Sequence, residues 1–98
     1  MTRPIITSEA EEDIVEILAY ISLDNYEASV AFYGRLIEQL GILAENPKAG
    51  RERREISEGV RSFPFGNYVI FYRIWAGEVA VTRVIHGSRD LDELFSSS

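Results

Sequence analysis

The stretch VRSFPFGNYVIFYRIWAGEVAVTRVIHGSRD, residues 60–90, decides the fold. Tyr68 to Ile74 and Val79 to His86 are rich in β-branched and aromatic residues, have strand length and are bounded by turn signals. Between them Trp75-Ala76-Gly77-Glu78 fits a hairpin loop, with Gly77 able to take a positive φ. Pro64-Phe65-Gly66-Asn67 closes an earlier strand, Val60 to Phe63, and turns it back, so the stretch predicts a three-stranded meander. Strand side chains alternate between faces, which puts Arg73 beside Val69 and Phe71, and Arg83 beside Val79, Val81 and Ile85. An arginine at such a position must reach solvent, a carboxylate or a ligand.

Upstream lies the layer that covers this sheet. Pro4-Ile5-Ile6-Thr7 reads as a short first strand, Pro4 placing it at an edge or a strand start. Ser8 and Glu11 then form a capping box, with Glu9, Glu11, Glu12 and Asp13 complementing the positive end of the helix dipole. Ala10, Ile14, Ile17, Leu18 and Ile21 follow as one apolar stripe. Asp24-Asn25 ends this helix and, with Glu27, starts a second that runs to about Asn46, where Asn46-Pro47 stops it. Phe32, Leu36, Leu40 and Leu43 are its core-facing row, so the helices form an antiparallel hairpin. Residues 48–55 make a charged connector. Leu91, Leu94 and Phe95 suit a last helical turn, and Ser96 to Ser98 a frayed end. The expected order is β-α-α-β-β-β: an α+β, two-layer domain over residues 1–98, with a helical hairpin packed on a small, mainly antiparallel sheet.

Ninety-eight residues hold one core. The absence of cysteine excludes disulfides, thiolate metal sites and thiol nucleophiles, and no cofactor motif or metal cluster stands out. Without an apolar run long enough for a signal or a membrane span, the expectation is a cytoplasmic protein with no membrane partner. A net charge of −6 argues against broad nucleic-acid binding, and no sequence-specific nucleic-acid contact is expected. That total hides an asymmetry: residues 1–46 hold nine acids and two bases, residues 47–89 four acids and eight bases. Arginine outnumbers lysine nine to one, which suits bidentate contact with carboxylate or phosphate. Salt bridges to the acidic helices are the alternative use of the same groups.

The order of elements, with Asn46-Pro47-Lys-Ala-Gly50-Arg51, Gly59-Val-Arg-Ser-Phe63, Gly66-Asn-Tyr68, Phe71-Tyr72-Arg73 and Arg83-Val-Ile-His86-Gly-Ser-Arg89-Asp90, resembles the ParE toxins of the RelE/ParE superfamily. These are the toxic halves of bacterial toxin–antitoxin modules, and the resemblance spans Ser8 to Phe95. The ParE-like branch implies a non-enzymatic protein that poisons DNA gyrase and is neutralised by a ParD-like antitoxin in a hetero-oligomeric complex. Its RelE-like sister cuts messenger RNA on the ribosome, and a third possibility is a member that binds its antitoxin without toxicity.

Chemistry separates the branches. RNA cleavage through the 2′-hydroxyl needs a base, an acid and cations around the phosphorane-like transition state. The candidate set for that reaction is His86 with Arg61, Arg73, Arg83 and Arg89. Yet there is one histidine and one lysine, and Lys48 falls in the connector. The ParE-like reading therefore assigns no catalytic residue and gives Arg61, Arg73, Arg83, Arg89 and the turn residue Trp75 to target binding, with His86 hydrogen-bonded to a neighbour such as Asp90. Phe63, Phe65, Tyr68, Phe71 and Tyr72 either stack nucleobases or pack the core.

Apolar surplus on the helices points to the antitoxin. On a wheel at 100° per residue the second helix carries apolar positions over roughly 160°, wider than the roughly 100° needed to face one core. Val30, Tyr33 and Ile37 belong to that excess, and Val15, Tyr20 and Leu23 lie off the main stripe of the first helix. These six are the candidate antitoxin contacts.

Overall fold

Glycine makes both turns of the meander possible. Gly66 opens one with φ 58°, and Ala76 and Gly77 form the other with φ 52° and 79°, a left-handed pair whose twist matches the flanking strands. The computed structural model describes residues 3–89. Its elements are β1 (Ile5–Ile6), α1 (Ser8–Asp24), α2 (Tyr26–Glu45), β2 (Arg51–Glu52), β3 (Arg61–Phe65), β4 (Tyr68–Trp75) and β5 (Glu78–His86). They make one sheet in the order β1-β5-β4-β3-β2, with β1 parallel to β5 and the other pairs antiparallel. The helical hairpin packs on this sheet, burying Ala10, Ile14 and Ile17 of α1 and Phe32, Leu36 and Leu40 of α2 against Ile70, Tyr72, Val79, Val81 and Val84.

Three expectations about where elements begin and end need correction. The connector contains a strand, because Arg51 and Glu52 pair with Ser62 and Arg61 of β3; two charged residues carry no β signal of their own. Strand β3 continues through Pro64 and Phe65, leaving only Gly66 and Asn67 in the turn. The cap of α1 is Thr7, one residue before Ser8: its Oγ1 accepts from the Ala10 N–H at 3.2 Å. Thr7 remains extended because its own N–H donates to the Val81 carbonyl at 3.1 Å, so the chain turns helical only after it. Asn25 caps α2 as expected, accepting from Ala28 N–H at 3.1 Å. The tail expected at Leu91, Leu94, Phe95 and Ser96 to Ser98 lies outside the described residues.

A bulge in β5 changes which side chains share a face. Phe71 pairs with Arg83 but Tyr72 pairs with Val81, so Thr82 is the extra residue. Val79 and Val81 therefore face the helices, whereas Ile85 turns to the other face and packs with Val60 and Phe71. The expectation that Arg83 shares a face with all of Val79, Val81 and Ile85 fails for that reason. Strand β4 keeps its alternation, and Val69, Phe71 and Arg73 stay together on the face away from the helices.

Tyr72 fastens the connector to the core. It is fully buried, its hydroxyl donates to the Pro47 carbonyl at 2.7 Å and accepts from the Gly50 N–H at 2.8 Å, and burial pushes its phenol up from the ordinary value. Gly50 is required there: a Cβ would stand 2.5 Å from the Tyr72 oxygen and 2.9 Å from the Ser62 carbonyl oxygen. Tyr72→Phe, which leaves two backbone groups without that partner, is expected to cost about 1–3 kcal/mol in urea unfolding. Gly50→Ala is expected to cost at least as much, and a wild-type midpoint in both variants would show that the Tyr72 hydroxyl does not hold the connector.

Candidate functional site

The arginines singled out in the sequence divide by what they touch. Arg61 reaches back from β3 to the connector, its Nη1 donating to the Gly50 carbonyl at 2.7 Å and its Nη2 meeting Glu52 Oε1 at 3.2 Å. Arg73 holds the loop before β3 through Glu58 O at 2.7 Å and Ser57 Oγ at 3.1 Å. Arg83 forms a two-pronged pair with Asp13 of α1, Nε to Oδ2 at 2.7 Å and Nη2 to Oδ1 at 3.0 Å. The same carboxylate accepts the Val84 N–H at 3.0 Å, just past the bulge. Asp13, with smaller contributions from Glu9 and Glu16, holds the Arg83 guanidinium above its ordinary pKa. Arg89 is exposed, and among the described residues its side chain makes no hydrogen bond or ion pair. Trp75 is 68% exposed at the end of β4.

His86 sits at the last residue of β5, opposite Tyr68, whose ring it meets edge-on at 5.2 Å. The partner present is Ser88; Asp90 lies outside the described residues. Ser88 donates its backbone N–H to His86 Nδ1 at 3.1 Å, and its Oγ lies 2.7 Å from the same nitrogen. An amide can only donate, so Nδ1 is the acceptor and the ring proton belongs on Nε2. Lys48 is far away: it lines a recess with Asn46, Pro47, Ala49 and Ile74, at the other end of β4. Tyr68 to Ile74 is six strand steps, roughly 20 Å. Among the described residues no cluster of three His, Asp or Glu side chains is arranged to hold a metal ion, and no helix is long and apolar enough to cross a membrane.

The apolar candidates on the helices are all exposed: Val15 60%, Tyr20 73%, Leu23 87%, Val30 54%, Tyr33 46% and Ile37 41%. Two residues that sequence reasoning passed over join them, Tyr26 at 71% and Ile42 at 45%. Tyr26, Val30, Tyr33 and Ile37 recur at spacings of four, three and four, so they make one strip along α2; that spacing was the available signal. Tyr20 and Leu23 instead line a recess at the interhelical turn with Ile21, Asp24, Asn25 and Ala28. Ala28 lies about 160° around α2 from Val30, so strip and recess open on different sides of that helix. Val15 is about 140° around α1 from Tyr20 and belongs to neither. The structure thus separates the six candidates rather than gathering them.

The Asp13–Arg83 pair is mostly buried, with side chains 11% and 26% exposed. Asp13→Asn and Arg83→Gln are each expected to lower unfolding stability by about 2 kcal/mol, and the double variant by clearly less than the sum. Additive losses in urea titrations would show that the two groups act independently.

The model for the ParE toxin of type II toxin–antitoxin systems, parDE, matches residues 5–91. Toxin ParE1 of Mycobacterium tuberculosis, from strain CDC 1551 / Oshkosh and from strain H37Rv, is 40% identical over 50 residues, which are 50% of this chain and 51% of the relative. The matched segment is therefore about half the length of those curated relatives. A solved structure described as the chromosomal ParDE toxin–antitoxin system from P. aeruginosa superposes with a TM-score of 0.72 at 23% identity, covering 88% of this chain and 96% of that one; at that identity the likeness speaks for the fold. With the family model spanning nearly every element from β1 to the end of β5, the chain belongs to the ParE toxin family of type II toxin–antitoxin systems.

Proposed function

We propose that this chain arrests DNA replication in the bacterial cytoplasm by binding DNA gyrase, and that a ParD-like antitoxin neutralises it in a hetero-oligomeric complex. The observation that carries this reading is how the sheet's basic groups are used. A nuclease of the RelE-like kind must converge several cations and a proton carrier on one phosphate. Here Arg61 and Arg73 donate to backbone carbonyls, Arg83 is paired with Asp13, and Lys48 and His86 stand at opposite ends of β4. Those positions suit a scaffold that binds. In this reading Arg61, Arg73 and Arg83 frame the sheet, and the exposed Trp75 and Arg89 are the groups that touch the target.

The antitoxin falls to the other layer. Helix α1 carries six acids and no base, and the exposed apolar residues of the helical hairpin are flanked by carboxylates, which suits a segment that is apolar on one side and basic on the other. Because the α2 strip and the Tyr20–Leu23 recess open on different sides, an antitoxin covering both wraps around α2 instead of lying in one groove.

Three outcomes are expected. Purified protein added to gyrase and plasmid DNA accumulates cleaved DNA, whereas cleavage of ribosome-bound message with no effect on gyrase contradicts the reading. His86→Gln, which keeps the size and polarity of the ring, retains toxicity in a growth assay; a nuclease relying on that ring loses on the order of a hundredfold. Tyr20→Glu and Leu23→Glu fold as wild type but escape neutralisation on co-expression, and unchanged antitoxin affinity in both would remove the recess from the interface.

A further inference from the structure

A cleft of about 590 Å³ lies between α1 and the joined ends of β4 and β5; the reading above uses Tyr20 and Arg89 from its rim but names nothing that fills it. One wall is α1, with Asp13, Glu16, Ile17 and Tyr20; the other holds Tyr68, Val84, Ile85, His86, Ser88 and Arg89. Its lining mixes apolar, polar and charged groups. The Asp13 carboxylate is taken by Arg83 and by the Val84 amide. The His86 ring stands edge-on to Tyr68, its Nδ1 taken up by the Ser88 N–H. Glu16 is exposed and, among the described residues, makes no hydrogen bond or ion pair. Arg89 stands on the turn after β5, exposed to solvent. Behind these groups α1 has six acids and no base.

Strand addition does not suit this edge. β1 covers β5 only at Ala80 and Val81, but beyond the bulge the Val84 N–H is already capped by Asp13, so an incoming strand would have to displace a carboxylate. What remains is a side-chain receptor: three aromatic rings, an apolar floor and the exposed Glu16, whose carboxylate makes no hydrogen bond among the described residues.

We propose that this cleft receives an arginine side chain of the neutralising partner, its guanidinium against Glu16 and the rings of Tyr20, Tyr68 and His86 and its alkyl stem along Ile17 and Val84. The proposal rests on the toxin–antitoxin reading for the identity of the partner, and on the cleft alone for the chemistry of the ligand. An arginine fits better than an aliphatic residue because it matches both halves of the wall: its stem is apolar, and its planar cation stacks on aromatic faces and binds carboxylate in a fork. Tyr20 lines both this cleft and the recess that holds Leu23, so a segment crossing Tyr20 meets an apolar site on one side and the cation site on the other. Arg89 opposes the incoming charge and sets a limit on affinity that its removal should lift.

The test is a chemical-shift titration of the isotope-labelled full chain with three probes: N-acetyl-arginine amide, its neutral isostere N-acetyl-citrulline amide, and inorganic phosphate. The arginine probe is expected to move the signals of Glu16, Tyr20, Tyr68 and His86 saturably, and citrulline to bind several-fold more weakly. Glu16→Gln should weaken the arginine probe about threefold and Tyr20→Ala by a similar factor, whereas Arg89→Gln should tighten it. Equal binding of citrulline, saturable shifts with phosphate instead, or no saturable shift with the arginine probe would each overturn the proposal. Gyrase activity and growth do not enter this titration, so it fails or succeeds independently of the assigned target.

Discussion

One carboxylate ties the two layers together. Asp13 accepts two guanidinium hydrogens from Arg83 and the amide hydrogen of Val84, and all three bonds join the first helix to β5 where the bulge interrupts its ladder. β1 covers β5 only at Ala80 and Val81, so beyond them the outward amide of Val84 has no strand partner, and a buried amide left that way costs on the order of 1–3 kcal/mol. Asp13 supplies that partner, and Arg83 offsets the burial of the charge. The arrangement also explains why β5 can bend: Thr82, the extra residue, donates to the Phe71 carbonyl, while Thr7 donates to the Thr82 carbonyl. The strand-to-helix junction, the bulge and the ion pair are one connected feature.

Much of the fold was legible because local signals and tertiary contacts agree. Gly66 and Gly77 mark turns that need positive φ, Asn25 caps α2, Asn46-Pro47 stops it, and the apolar row of α2 is the row that is buried. The departures come where two local signals compete or where none exists. Thr7 and Ser8 are both good caps, and the choice falls to Thr7 through a bond to Val81 that a linear reading does not contain. The bulge at Thr82 has no mark in the alternation of residues 79–86, and without it the faces of Arg83 and Ile85 come out wrong. Asp13 had a sufficient local explanation as one of the acids near the positive end of the helix dipole, which concealed its longer reach across the chain.

The candidate surfaces were legible to a similar degree. Tyr20 and Leu23 fall off the stripe of α1 on a helical wheel, and they are among the most exposed apolar side chains in the structure. What the wheel did not reveal was their separation from the strip on α2, since it treats each helix alone. The arginines were recognisable as important but not by their partners: the carbonyls of Gly50 and Glu58 and the carboxylate of Asp13 come to them only when the connector, the loop before β3 and α1 are in place. Arg83 ties the sheet to the acidic helical layer through Asp13, while Arg61 and Arg73 hold the connector and the loop before β3 to the sheet.

That use of the arginines is the basis for reading the chain as a binding toxin, and the most direct test is made in living cells. The protein is expressed without its antitoxin while incorporation of labelled thymidine, uridine and methionine is followed over the first minutes. The account predicts early arrest of DNA synthesis, with RNA and protein synthesis continuing and cells growing as filaments. Immediate arrest of protein synthesis with cleaved messages, while DNA synthesis continues, would contradict it.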